Sequence, residues 1–433
     1  MTPAARLSAA IDVIAAIDAE RVPAANALKE WGRAHRFAGS GDRAAIAGLV
    51  FDVLRRRASS AWLMDSGTPR ARMLGMLQLE RGTTLETVEA LCDGSRFAPP
   101  PLTETERHAF ATRSLADAPA PVAGDYPDWL DAHFAEAFGD ERVAEAAAMA
   151  SRAPLDLRVN TLKASRDKIL GRLSHLGAVP TPWSSLGLRI ALGADARNPG
   201  IHAEEDFIKG HVEVQDEGSQ LAALLSAAQP GEQVIDLCAG AGGKTLALAA
   251  MMQGRGRLIA TDQDKRQLAP IHERLSRAGV HNAEVRTPRG DADPLADIRA
   301  SADLVLIDAP CTGTGTWRRN PDAKWRIRPG ALELRVKAQA EVLDRGAALV
   351  KPGGRIVYVT CSVLSQENGA QVRAFLGRHA GFAVMPPAGV MAVLGERAAG
   401  FAAATRQSQE GLLMTPLKTG TDGFFVAVLR KAG

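Results

Sequence analysis

The sequence predicts an α/β protein: a Rossmann-like, mostly parallel sheet flanked by helices, with an all-helical domain in front of it. Three observations carry this. Residues 1 to about 90 are rich in Ala, Leu and Ile, with apolar positions at helical spacing and no alternating strand pattern. From about residue 210 the apolar runs QVIDLC, RLIATD, ADLVLID and RIVYVTCS recur, separated by helix-like stretches such as DKRQLAPIHERLSRAG. Buried strands alternating with helices form a parallel sheet covered on both faces. At 433 residues, the chain is also too long for one ordinary domain.

Taken in order, residues 1–95 are expected to form the helical domain. Its start, MTPAARLSAAIDVIAAIDAERV, carries Asp12, Asp18 and Glu20 among the apolar positions, which marks an amphipathic helix and not a signal peptide. Residues 1–82 hold twelve Lys/Arg against eight Asp/Glu, a local balance of +4, with Arg55, Arg56 and Arg57 in one run. The Pro-rich stretches FAPPPLTETE and DAPAPVAGDYPDW predict a linker over 96–127. Residues 128–205 are expected to form a small α/β subdomain, because Leu155, Leu157 and Val159 alternate as in a strand before the helix-like SRDKILGRLSHLG. Residues 206–433 are the Rossmann-like domain. No apolar run reaches the ~20 residues that span a membrane, so a cytoplasmic protein is expected. Four cysteines without a C-x-x-C pair, and nine histidines without a ligand cluster, predict neither a disulfide framework nor a metal site.

The stretch VIDLCAGAGGKTLALAA ends like a phosphate-binding loop, but the first glycine of G-x-x-x-x-G-K-[ST] is replaced by Cys238. The dinucleotide pattern G-x-G-x-x-G also fails, with Thr245 in its last position. What remains is a strand ending in Asp236, a turn through Gly240, Gly242 and Gly243, and a helix starting near Lys244. The next strand ends at Asp262, where an acid can accept hydrogen bonds from both ribose hydroxyls. Asp291 follows a third strand and could bond an adenine amino group. Glycines beside several acids repel a triphosphate and suit a positively charged nucleoside, of which S-adenosylmethionine is the common one; a dinucleotide site is the alternative.

Two cysteines follow two strands. LVLIDAPCTGTGTW places Asp308 and Cys311 past one, and RIVYVTCSVLSQENG places Cys361 past another. A buried cysteine is usually a small hydrophobe, but these two fall at the edge where α/β sheets bind ligands. A thiolate there can add to carbon 6 of a pyrimidine and turn carbon 5 into a nucleophile. A carboxyl such as Asp308 can assist at ring nitrogen 3, and a base must then remove the carbon 5 proton. The residues alone leave open which cysteine attacks. A second basic run, TWRRNPDAKWRIR, interleaves Arg318, Arg319, Lys324, Arg326 and Arg328 with Trp317 and Trp325, a composition that can meet phosphates and stack on bases.

Together the segments RVNTLK, VEVQDEGSQ, DLCAGAGGKT, DAPCTGTGTWRRNPDAKW, KPGGRIVYVTCSVLSQENG and DGFFVAVLRK resemble the Fmu/Sun family of RNA cytosine-5 methyltransferases, over roughly residues 150–433. RRNPDAKW points within it to the bacterial small-subunit rRNA methyltransferases. The resemblance implies S-adenosylmethionine as cofactor, held by Cys238, Ala239, Gly240, Ala241, Gly242, Gly243, Lys244, Asp262, Asp291 and Asp308. It implies Cys361 as nucleophile and Cys311 as the residue that helps release the product, on ribosomal or transfer RNA, by a monomeric enzyme without a membrane partner. Gly240-Ala241 departs from the family's frequent Ala-Pro. The RNA contacts expected are Arg158 and Asn160 of the RVNTLK segment, Arg318, Arg319 and Lys324. SGDRAAIAGLVFDVLRRR is similar to the RNA-binding helical domain of the antitermination factor NusB, which adds Arg55 and Arg56.

Overall fold

The computed structural model describes residues 1–193, 199–288 and 293–433. Two compact units emerge. The first holds Met1–Arg152, Gly193 and the remote segment Trp317–Ile327; the second holds the rest of the described residues.

The first unit is helical. Its opening helix, Pro3–Glu20, starts where Thr2 accepts a hydrogen bond from the Ala5 N–H and Pro3 supplies a preset φ, and it stops at Arg21 in the left-handed region. Its apolar side, with Leu7, Val13 and Ile14, packs with Ile46, Val50, Met73 and Leu74 into one core. The expected linker at 96–127 is a different matter. Glu104–Thr112 is a helix with a complete capping box, Thr103 with Glu106, and Leu102, Ala109 and Phe110 join the same core. Prolines in this stretch mark turns between short helices. The remote segment also builds this unit: the Trp317 ring stacks on Phe134 at 5.8 Å, and the Trp325 Nε1–H donates to the Leu54 carbonyl at 2.6 Å.

The second unit contains two sheets. Strands β1 (Leu155–Val159), β2 (Val179–Pro180), β3 (Gly187–Ile190) and β4 (Val212–Val214) form an antiparallel sheet in the order β2-β3-β1-β4. Because β4 belongs to it, this sheet extends beyond residue 205. The larger sheet uses β5 (Gln233–Asp236), β6 (Arg257–Ala260), β7 (Ala283–Val285), β8 (Ala302–Asp308), β9 (Val350–Thr360), β10 (Phe382–Val384), β11 (Arg406–Gln407), β12 (Leu412–Met414) and β13 (Phe424–Lys431). Its order is β11-β12-β13-β9-β8-β5-β6-β7, with β10 paired to β13. Strands β5 to β9 run parallel, and β13 lies antiparallel beside β9. From β5 the chain moves outward to β6 and β7, then returns to β8 on the other side. That reversal opens a crevice beyond the carboxyl ends of β5 and β8, the place where such sheets bind ligands.

No helix among the described residues is long and apolar enough to cross a membrane.

Candidate active site

The glycine turn after β5 is fixed by its backbone. Gly240 has φ +49° and Gly242 φ +86°, both left-handed, and a Cβ on Gly242 would lie 2.5 Å from Ile271. Gly242 thus caps the helix Gly243–Met251 without crowding it. Beside Gly240, by contrast, an added Cβ would meet nothing within 4 Å. Asp262 holds the turn in place: Oδ2 accepts from the Gly240 N–H at 2.9 Å and Oδ1 from the Asp264 N–H at 2.9 Å. Asp236 is buried at the end of β5. Its Oδ2 accepts from the Thr245 hydroxyl at 2.7 Å, while Oδ1 has no partner. Burial, reinforced by the Asp308 charge, pushes the Asp236 carboxyl up to about 7. Burial and the Asp262, Asp236 and Asp308 charges also push the Cys238 thiol well up, so it stays protonated.

Lys244, at the start of the helix, donates to Asp308 Oδ2 at 2.6 Å and lies 5.2 Å from the Phe424 ring centroid. Burial works against the lysine's charge, but the Asp308 carboxylate outweighs it and holds the amine above its ordinary value. Lys244 thus meets the charges of Asp308 and Asp236, and Asp262 adds a third carboxylate nearby. The open backbone at Gly240, the unpartnered Oδ1 of buried Asp236 and the cluster of acids fit S-adenosylmethionine: the glycine turn would admit its close approach, Asp262 would take the ribose hydroxyls, and the acids suit its sulfonium. Asp291 lies outside the described residues.

The two cysteine loops meet. Cys311 Sγ is 3.3 Å from Cys361 Sγ, and both residues are half-buried. The loops are joined by a hydrogen bond from the Gly315 N–H to the Cys361 carbonyl at 2.9 Å and another from the Val363 N–H to the Thr314 hydroxyl at 3.0 Å. Glycine is required at 315, where a Cβ would fall 2.2 Å from the Gly423 carbonyl oxygen. The hydrogen bond to Cys361, then burial, then the Cys361 and Glu367 charges push the Cys311 thiol well up. Glu367, fully buried, is a residue the sequence reading did not single out. Only its place in SQENG, six residues after Cys361, hinted at it.

A model described as "16S rRNA methyltransferase RsmB/F" matches residues 223–430, and one described as the ferredoxin-like domain of RsmF/B-like methyltransferases matches 126–196. Ribosomal RNA small subunit methyltransferase B of Sodalis glossinidius is 31% identical over 414 residues, 90% of each chain. The chain belongs to the RsmB/F methyltransferase family. The Escherichia coli protein of the same name is 32% identical over 360 residues, covering 78% of this chain and 83% of its own. A solved methyltransferase homolog from Pyrococcus horikoshii superposes with a TM-score of 0.58 at 27% identity, covering 72% of this chain and 97% of its own.

For this RsmB/F member, the positions expected to contact RNA need correction. Arg55 is buried and donates to the Arg318 carbonyl at 3.0 Å; Arg56 pairs with Glu80, and Arg57 with Asp18 at 3.4 Å. The arginine run is thus neutralised by acids of its own unit. Arg318 is buried, and Arg319 is half-buried. Lys324 is buried between the Trp317 and Trp325 rings, donates to the Arg55 carbonyl at 3.2 Å, and is pushed down to about 7 by burial, against the pull of Asp125. Arg158 is buried on β1 against Gln215, and burial lowers it to about 10. Asn160 is also buried: its Nδ2 donates to the Gly210 and Ala278 carbonyls, both at 2.9 Å, and its Oδ1 accepts from the Leu162 N–H. The buried side chains of Arg55, Arg158, Asn160, Arg318 and Lys324 build the fold, while Arg56, Arg57 and Arg319 stay half-buried. Cations that do face solvent in the helical unit include Lys29, Arg33 and Arg36, beside the exposed Phe37.

Proposed function

We propose that the protein methylates carbon 5 of a cytosine in small-subunit ribosomal RNA, through a covalent bond between Cys361 and the base. The observation that supports this most directly is the 3.3 Å approach of Cys311 to Cys361, at the mouth of the crevice that holds the Lys244–Asp308 pair. S-adenosylmethionine, when bound, supplies the electrophilic methyl group. Everything else falls to side chains. The target base leaves its stack to enter the crevice. Cys361, as thiolate, bonds to carbon 6, and the displaced electron pair is accommodated at ring nitrogen 3, which takes a proton relayed from the Lys244 ammonium through Asp308 and returns it when the ring double bond re-forms. Carbon 5 then becomes the nucleophile. Once Cys361 is a neutral thioether, its hydrogen bond and charge no longer hold the proton on Cys311, and that proton passes to solvent. The Cys311 thiolate then takes the carbon 5 proton, the ring double bond re-forms, and the carbon–sulfur bond breaks with its pair returning to Cys361.

The RsmB/F membership, together with the small-subunit rRNA named for the relatives, supports rRNA as substrate in a cytoplasmic setting. The test is methyl transfer from labelled S-adenosylmethionine to unmodified small-subunit rRNA and tRNA, followed by nucleoside analysis. Label in 5-methylcytidine of rRNA is expected. Label in tRNA would change the substrate, and label in another nucleoside would overturn the chemistry.

A further inference from the structure

Glu367 makes no contact with either sulfur that would make it a reacting group, yet it grips the residues on both sides of Cys311. Its Oε1 accepts from the Thr312 N–H at 2.8 Å and from Gln339 Nε2 at 2.9 Å. Its Oε2 accepts from the Thr312 hydroxyl. The same Gln339 Nε2 donates to the Pro310 carbonyl at 3.0 Å. The peptide groups before and after Cys311 are therefore tied to one carboxylate, directly on one side and through Gln339 on the other.

That carboxylate is itself pinned. The Tyr358 hydroxyl, on β9, donates to the Glu367 carbonyl at 2.6 Å. Next in sequence, Asn368 accepts from Thr360 Oγ1 at 2.6 Å and donates to the Ser362 carbonyl at 2.9 Å. So the segment that carries Glu367 is locked to the residues on either side of Cys361. Glu367 links the two cysteine loops through buried, charge-assisted hydrogen bonds, which are the strong kind. A fully buried acid with this many partners is expensive to keep unless its geometry or charge is used.

We infer that Glu367, with Gln339, is the positioning residue that sets Cys311 against Cys361 and strengthens Cys311 as the base that releases the product. This rests on the cytosine reading above. Two consequences separate it from a purely structural role. The carboxylate's negative charge favours the protonated form of Cys311, so its loss makes Cys311 a weaker base. Forming the Cys361–base bond does not need that base, whereas removing the carbon 5 proton does. Neutralising Glu367 while keeping its shape should therefore slow release more than bond formation.

The experiment uses the full-length protein, unmodified small-subunit rRNA and S-adenosylmethionine. It compares wild type, Glu367→Gln, Gln339→Leu and Cys311→Ala, reading first-turnover methyl transfer, steady-state turnover and the fraction of protein bound covalently to RNA on denaturing gels. Expected for Glu367→Gln is a first turnover within about tenfold of wild type, turnover at least about tenfold slower, and a covalent fraction several-fold above wild type. The pH profile of release in this variant should shift to lower pH, because the Cys311 thiol, freed of the carboxylate's charge, loses its proton under less alkaline conditions, and the defect should be greatest at high pH, where only the strength of the thiolate as a base differs. Gln339→Leu, which keeps the charge, should slow release without altering its pH profile. A Glu367→Gln enzyme that turns over like wild type, or one that loses first turnover and release in parallel, would overturn the positioning role. Failure of the underlying reading looks different: Cys311→Ala would then form no adduct.

Discussion

The sulfurs of Cys311 and Cys361 lie 3.3 Å apart although the residues are 50 positions apart in the chain. The parallel pairing of β8 with β9 produces this, since it delivers the residues after Asp308 and after Thr360 to the same edge. Cys311 is held as a thiol by its hydrogen bond to Cys361, by burial and by the neighbouring charges.

The first expectation separates the roles proposed for the two thiols. Cys361→Ser should lower methyl transfer by about three orders of magnitude or more, because an alcohol cannot replace the thiolate in the addition. Cys311→Ser should leave the addition intact and trap a covalent protein–RNA complex, visible as a band that survives denaturation. A trapped complex in Cys361→Ser instead would reverse the two roles.

The Lys244–Asp308 pair can be tested through the charge of the ligand. Replacing Lys244 by Met removes the cation that offsets Asp308, so the crevice becomes more negative. Calorimetric titration should then show the affinity ratio of S-adenosylmethionine to neutral S-adenosylhomocysteine rising several-fold, the size of a charge interaction of ~1 kcal/mol. Turnover should fall at the same time, because Asp308 loses the contact that orients it. An unchanged ratio would place Lys244 away from the sulfonium.

The course of the chain was largely legible, and the side chains' partners were not. The apolar runs QVIDLC, RLIATD and ADLVLID contain β5, β6 and β8, and RIVYVTCS covers the second half of β9, because a strand covered on both faces must be continuously apolar. The crevice was legible for the same reason, since motifs after those strands must share one edge. A charge run carries no such information. Whether Arg55–Arg57 meets phosphate or protein depends on Asp18 and Glu80, which reach it only after the helices pack. The prolines at 99–101 likewise hid the capped helix that follows them, because prolines mark the turn before a helix as readily as a linker.

Asp236 gives a pH-dependent expectation. Its folded-state carboxyl sits at about 7, above the ordinary value of 3.8. A raised carboxyl contributes stability that is complete below the unfolded value and is lost as pH rises through the folded one. Wild type should therefore lose stability relative to Asp236→Asn between about pH 4 and pH 7, by a few kcal/mol on the order of the shift. Asparagine keeps an acceptor for the Thr245 hydroxyl. Thermal melts of both proteins across this range check it, and parallel curves would contradict the raised value.

The correction at Arg158 and Asn160 leads to a test that separates folding from binding. Asn160 satisfies two carbonyls and one N–H in a buried position, linking the end of β1 to the Gly210 turn and to the last turn of the helix Ile271–Ala278. Asn160→Ala leaves these groups unpaired without water to replace the amide, at about 2–4 kcal/mol. Its melting temperature should drop by several degrees, while the RNA affinity of the protein that remains folded stays near wild type. Replacing Lys29, Arg33 and Arg36 together by Ala should do the reverse. These side chains face solvent, so stability should hold, and the dependence of RNA affinity on salt should flatten by about two to three released ions if they meet phosphates. An unchanged salt slope would remove this face of the helical unit from the RNA interface, and a weaker RNA affinity of the folded Asn160→Ala protein would return that residue to it.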